Sequence, residues 1–146
     1  MKNIAVALDL TNSSTILIKQ AKVLARVNDA KIWLIHIAAP DPDFIGYDVG
    51  PKYIREDRAD TLKQEHKHLG ELKNSLTDVG VEAEALLIQG PIVHTLLDEI
   101  DKLKIDLIVI GKKGHGFLHR AIFGSAFDEI VKKVHVPLLV VPYLED

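Results

Sequence analysis

Residues 106–125 read DLIVIGKKGHGFLHRAIFGS. The segment begins with an unbroken apolar run from Leu107 to Ile110, which is typical of a strand buried on both faces of a parallel sheet, because nothing in it alternates polar with apolar. The run stops at Gly111, and an amphipathic helical pattern starts directly after Gly124 and Ser125. The segment therefore predicts a strand, a glycine-rich loop and the first turn of a helix, in that order.

The loop between this strand and this helix predicts an anion-binding site. Glycines allow backbone N–H groups to approach a phosphate, and the first turn of a helix offers unpaired donors at the positive end of its dipole. The loop also carries cationic or protonatable side chains, namely Lys112, Lys113, His115, His119 and Arg120. A planar guanidinium such as that of Arg120 bonds a phosphate with two N–H groups, although a solvated basic loop is the commoner outcome for any one of these residues.

The composition is that of an ordinary globular chain. Of the 146 residues, 47% are apolar and 27% are charged. The net charge of −3 argues against a general nucleic-acid binder. Residues 111–135 nevertheless carry five Lys or Arg against Asp128 and Glu129, a local balance of +3, so the remaining chain sums to −6. The basic region thus coincides with the glycine-rich loop.

Several chemistries are disfavoured by what the sequence lacks. It contains no cysteine, which excludes disulfides, thiolate catalysis and cysteine metal sites. His66 with His68 and His115 with His119 have no cysteine support, so no metal site is predicted from them. No Gly-x-Ser-x-Gly nucleophile motif is present, and no catalytic residues are assigned. Without a signal peptide or a run of about 18 apolar residues, the expectation is a soluble cytoplasmic protein.

The chain alternates five strand-like with four helix-like segments, which predicts a single domain over residues 1–146. We expect a three-layer α/β/α sandwich around a five-stranded parallel sheet. Its strands are predicted at residues 4–8, 32–37, 81–86, 107–110 and 138–141. In a doubly wound order of 3-2-1-4-5 the first and fourth strands are neighbours, and a crevice opens at their carboxyl ends. Asp9, which ends the first strand, would then face the loop that begins at Gly111. His36, inside the second strand, is expected to be a hydrogen-bonded structural residue.

The spacing of the glycines identifies a family resemblance. Neither the P-loop pattern nor Gly-x-Gly-x-x-Gly is present. Gly111, two residues, Gly114, nine residues and Gly124-Ser125, together with Asp9, resemble the ATP-binding branch of the universal stress protein family. The resemblance extends over essentially the whole chain, through its size, its element order and the Val-Pro-Leu-Leu-Val-Val ending.

The resemblance implies an adenine nucleotide as ligand: ATP, or AMP or ADP, with Mg²⁺ as a further candidate at Asp9. Asp9 and the backbone around Ile37 would hold the adenine and the ribose. Four residues would wrap the ribose and the phosphates: Gly111, Gly114, Gly124 and Ser125. From the residues alone, Asp9 is equally well explained as a cap of the first helix. Ser125 is compatible with both an N-cap and a phosphate contact.

One departure from the family pattern keeps other functions open. Many ATP-binding members have a second hydroxyl residue two positions after the Ser/Thr, whereas this chain reads Ala126-Phe127. The departure favours a nucleotide-free dimerisation or interaction module, and a slow ATPase is the third alternative. The last strand, Leu138 to Val141, is an outer, apolar edge in the expected order, and such an edge tends to pair. In the proteins it resembles, this strand pairs across a two-fold axis, so a homodimer or a higher oligomer is predicted.

Overall fold

The computed structural model describes residues 1–10, 13–38, 52–113 and 124–144, with the side chains of all but 52–58, 113, 124 and 125. Within these residues, strands and helices alternate strictly. The elements are β1 (Asn3–Leu8), α1 (Ser13–Asn28), β2 (Lys31–Ala38), α2 (Lys52–Thr77), β3 (Ala83–Gln89), α3 (Ile92–Lys102), β4 (Leu107–Lys113), α4 (Gly124–Lys133) and β5 (Leu138–Tyr143).

The five strands form one parallel sheet in the order β3-β2-β1-β4-β5. This confirms the predicted order, with the first and fourth strands as neighbours. Strand β1 lies at the centre, and its residues from Ile4 to Leu8 are all buried. A central strand of a parallel sheet is covered on both faces, which explains its continuous apolar sequence.

Two hydrophobic clusters, one on each face of the sheet, lie between the three layers and hold them together. On one face, Ile4 and Val6 of β1 share a cluster with Leu17 of α1 and Leu69 of α2. On the other face, the alternate β1 residues Ala5 and Ala7 share a cluster with residues of α3 and α4, including Leu96 and Ile130. The predicted α/β/α sandwich is therefore confirmed.

Some element boundaries differ from the predicted ones. Strand β4 continues past Gly111 to Lys113, because residues 111–113 pair with residues 141–143 of a β5 that is itself two residues longer than expected. Strand β3 starts later and ends later than predicted, at Ala83–Gln89. Pro91 is the N-cap of α3. Among the described residues, no helix has the length and apolar character needed to cross a membrane.

Candidate functional site

The carboxyl edge of the sheet opens between β1 and β4. Among the described residues, these two strands pair from Ile4 with Leu107 to Val6 with Val109. By contrast, β1 stays paired with β2 as far as Leu8, and β4 stays paired with β5 as far as Lys113. Over the described residues, β1 and β4 thus each keep their outer neighbour beyond the point where they stop pairing with each other. This is the position of the crevice expected at the switch point of a doubly wound sheet.

Asp9 lies at this opening, directly after the last residue of β1. It is half-buried, and the hydroxyl of Ser13, the first residue of α1, donates a hydrogen bond to its Oδ1 atom at 3.3 Å. The next residue, Leu10, has a φ of 62°, a left-handed conformation that is uncommon outside glycine. The chain therefore turns sharply out of β1 at Asp9, with its carboxylate tied to the start of α1. This contact is compatible with both roles considered for Asp9.

On the β4 side of the opening, Gly111 and Lys112 belong to the strand and not to the loop. A Cβ atom at Gly111 would lie 2.9 Å from Cε1 of Tyr143 and 3.4 Å from Cδ1 of Leu17. The absence of a side chain at Gly111 therefore leaves space for the Tyr143 ring. Lys112 is exposed. Three further predicted ligand-binding residues lie outside the described residues: Gly114, His115 and Arg120.

Helix α4 begins at Gly124, so that Gly124 and Ser125 form its first turn. The first N–H groups of a helix have no partners within it. In the order of the chain, α4 is the element that follows β4. Ala126 is buried, and the partly buried Phe127 packs against the cluster that contains Ile130. Phe127 therefore contributes to the core, which gives a physical reason for an aromatic residue where the family pattern led us to expect a hydroxyl.

The end of β2 contributes Ile37 and His36 to the same edge. Ile37 pairs in register with Ile88 of β3, and its partly buried side chain packs against the cluster on the α3 and α4 face. The His36 ring points to the other face, where Nδ1 lies 2.8 Å from the Leu8 carbonyl oxygen and Nε2 lies 2.9 Å from Oε2 of Glu65. His36 is hydrogen-bonded, as expected for a histidine within a strand. Glu65, however, is 29 residues away in α2, and no local pattern identified it.

The sheet order therefore brings together several of the residues selected from sequence. Asp9, Ile37, Gly111 and Lys112 all lie at or just beyond the carboxyl ends of adjacent strands. Among the described residues, no group of three His, Asp or Glu side chains is arranged to hold a metal ion. Within the described residues, the opening offers the Asp9 carboxylate, the Lys112 ammonium group and backbone groups, and α4 is the helix that follows β4 in the chain. This set of groups suits an anionic ligand with hydroxyl groups.

Comparison with known proteins gives a consistent result. Residues 1–142 match the model of the universal stress protein family. Universal stress protein A of Salmonella typhi is 31% identical over 150 residues, covering 99% of this chain and 96% of the relative. Among solved structures, hypothetical protein MJ0577 superposes with a TM-score of 0.79 at 19% identity, covering 99% of this chain and 98% of the other.

Some structures of the same fold contain nucleotides. An Arabidopsis thaliana family member with AMP bound has a TM-score of 0.68 at 20% identity, covering 97% of this chain and 92% of the other. A universal stress protein from Archaeoglobus fulgidus in complex with dAMP has a TM-score of 0.65 at 19% identity, covering 97% and 98%. At these identities the likeness establishes the fold, and the ligands are those of the other proteins.

Proposed function

The chain belongs to the universal stress protein family, and on that premise we propose that it binds an adenine nucleotide in the crevice between β1 and β4 and acts as a nucleotide-dependent regulatory protein. The observation that carries the proposal is the early end of the β1–β4 pairing beside Asp9. The nucleotides bound by family members of the same fold support the choice of an adenine nucleotide over other anions.

Each part of the ligand has a candidate partner at this edge. The ribose hydroxyls are donors that suit the Asp9 carboxylate, and the backbone around Ile37 is assigned to the adenine. The phosphates are assigned to the first turn of α4 at Gly124 and Ser125, where unpaired N–H groups favour negative charge. Gly111, Gly114 and the cations Lys112, His115 and Arg120 complete the proposed set. Mg²⁺, where it accompanies ATP, is assigned to the phosphates with Asp9 as its protein ligand.

Equilibrium binding of labelled ATP, ADP and AMP to the purified protein tests the proposal. We expect binding by the wild type and affinity about tenfold lower for Gly124→Ala, because a methyl group there hinders the approach of a phosphate to the helix start; tenfold corresponds to ~1.4 kcal/mol. Gly70→Ala in α2 is the matched control, since a Cβ atom at Gly70 has nothing within 4 Å. If the wild type retains no nucleotide at millimolar concentration, the proposal fails. Mass spectrometry of the protein as purified provides an independent check for a bound nucleotide.

A second candidate is a dimerisation or interaction module that binds no nucleotide. It is favoured by Phe127, whose side chain packs in the core and supplies no hydroxyl to a phosphate. The same titration separates the two candidates. If the second candidate function is correct, dimerisation persists, and neither the wild type nor the Gly124→Ala variant binds ATP.

Slow ATP hydrolysis and homodimer formation are subsidiary proposals. Hydrolysis requires phosphate release well above a protein-free control, abolished by Asp9→Ala. The homodimer is proposed through β5, which is an edge strand with β4 as its one neighbour in the described sheet. The cytoplasmic location stays a prediction from sequence.

A further inference from the structure

The imidazole of His36 links three elements at the carboxyl edge of the sheet. It belongs to β2, its Nδ1 atom contacts the backbone carbonyl of Leu8 in β1, and its Nε2 atom contacts the carboxylate of Glu65 in α2. The His36 side chain is 12% exposed and that of Glu65 is 24% exposed. The link is therefore largely shielded from water, which strengthens its hydrogen bonds and makes the loss of either one costly.

The ring contacts an oxygen atom at each of its two nitrogens. A carbonyl oxygen and an ionised carboxylate both only accept hydrogen bonds, whereas a neutral imidazole has one N–H group to donate. Contacts of 2.8 and 2.9 Å at both nitrogens are therefore satisfied together when the pair holds one extra proton, with N–H groups on both nitrogens of the ring. A charged hydrogen bond to a carboxylate is among the stronger contacts that a side chain makes.

The link acts on the backbone next to the proposed ligand contacts. Leu8 and His36 form the last pair between β1 and β2, and the residues that follow them are Asp9 and Ile37. Immediately beyond Asp9, the backbone of Leu10 adopts its left-handed conformation. A sparsely populated conformation of this kind persists when the surrounding structure restrains it. The bond to the Leu8 carbonyl is such a restraint, and it is anchored from outside the sheet by Glu65.

We propose that His36 and Glu65 are positioning residues of the nucleotide site, in which a ring protonated on both nitrogens fixes the Leu8 carbonyl and so sets Asp9 for the ligand. The inference rests on the proposed function. To the proposed function it adds a dependence of nucleotide affinity on the hydrogen bonds that connect β1 to α2 through His36, which do not themselves involve the nucleotide.

The first experiment measures the protons of the ring by ¹⁵N nuclear magnetic resonance on the full chain, with the His36 signals identified by their loss in His36→Gln. We expect both nitrogens of His36 to resonate as N–H nitrogens in the wild type. In Glu65→Gln the side-chain amide can donate to Nε2, so the ring is expected to keep only the proton on Nδ1. An unprotonated Nε2 in the wild type would overturn the proposed link.

The second experiment measures positioning without ligand, through hydrogen exchange of the Asp9 and Leu10 amides. We expect exchange about tenfold faster in Glu65→Ala, because the Leu8 carbonyl loses its restrained partner, and near-wild-type exchange in Glu65→Gln, which retains a hydrogen bond. The matched control is Asp98→Ala. Asp98 pairs with His94 at 3.4 Å on the exposed face of α3, so its loss should leave both amides unchanged.

The third experiment is an ATP titration of the same variants. Glu65→Ala is expected to bind about tenfold more weakly than the wild type, and Glu65→Gln within about threefold of it, since each tenfold corresponds to ~1.4 kcal/mol. Unchanged exchange and affinity in Glu65→Ala would overturn the positioning role while leaving the proposed function standing. A wild type that binds no ATP but shows the expected exchange pattern would overturn the proposed function and leave the His36–Glu65 link intact.

Discussion

Gly111 lies in β4 directly beside the ring of Tyr143. An alanine there would bring its Cβ atom to 2.9 Å from Cε1 of Tyr143, a separation that requires the ring or the strand to move. We expect Gly111→Ala to lower the free energy of unfolding by about 1–3 kcal/mol, the usual cost of overpacking. Urea unfolding measures the loss, and the same substitution in a Tyr143→Leu background should cost clearly less. An equal cost in both backgrounds would show that the ring is not the cause.

Asp106 lies at the amino edge of the sheet, opposite the candidate site, and its hydrogen bonds lead us to expect a pH dependence of stability. Its Oδ2 atom accepts hydrogen bonds from the backbone N–H groups of Asn3 at 2.9 Å and Lys2 at 2.7 Å. These bonds, that of Asn3 first, hold the pKa of Asp106 below its ordinary value. A carboxyl group with a lowered pKa contributes stability above its unfolded pKa of about 3.9, and the contribution is lost as the pH falls through the folded pKa.

Asp106→Asn should therefore be less stable than the wild type at pH 7, with the difference shrinking as the pH falls below about 4. Because the carboxylate is exposed, the loss at pH 7 should not exceed about 1 kcal/mol. Urea unfolding at pH 7, 5 and 3 measures it, with the exposed Asp60→Asn in α2 as control. A difference between wild type and variant that stays constant from pH 7 to pH 3 would contradict this assignment.

The candidate site shows which residue roles can be predicted from the sequence. Asp9 and Gly111 were selected because each interrupts an apolar run, and the sheet order places them on neighbouring strands. The packing of Phe127 against the core was not predictable, because a residue at a helix start belongs to the core or to the site according to how the helix is oriented. Glu65 was missed because its contact with His36 depends on the packing of α2 against the sheet.

Helix α2 contains a glycine at a position where the surrounding structure leaves room for a side chain. Gly70 lies within the helix Lys52–Thr77, and a Cβ atom there would meet nothing within 4 Å. Glycine in a helix interior costs about 0.5–1 kcal/mol relative to alanine. We expect Gly70→Ala to raise the free energy of unfolding by that amount, measured by urea unfolding at neutral pH. A loss of stability would mean that this part of α2 approaches another surface more closely than the structure shows.

The element boundaries show where local patterns stop being informative. The run Leu107 to Ile110 correctly predicted the buried part of β4, because burial on both faces leaves its mark on residue type. The strand continues through Gly111 and Lys112 since their backbones pair with Val141 and Pro142, and backbone pairing does not depend on apolar side chains. Such extensions arise from the neighbouring strand, which is distant in sequence for every parallel pair.

In the molecule as a whole, β5 is an edge strand with a defined pattern of backbone N–H donors. The Ile108 N–H group donates to the Pro137 carbonyl at 3.0 Å. Alternate residues of a parallel strand face the same neighbour, so the N–H groups of Leu139 and Val141 face β4. The backbone nitrogens of the intervening residues 138, 140 and 142 face away from it. Proline is therefore tolerated at 142, since its missing N–H is not one that bonds β4.

This pattern allows the predicted homodimer to be tested at a single donor. Val140→Pro removes an outward-facing N–H while leaving the bonds to β4 in place, so it should convert a dimer to a monomer without unfolding the chain. Sedimentation at micromolar concentration measures the assembly, and Val140→Ala, which loses the two γ-methyl groups but keeps the N–H donor, should remain dimeric. Val141→Pro removes a donor to β4 and should lower the stability of the chain itself. A monomeric wild type would refute the dimer, and a dimeric Val140→Pro variant would move the contact away from β5.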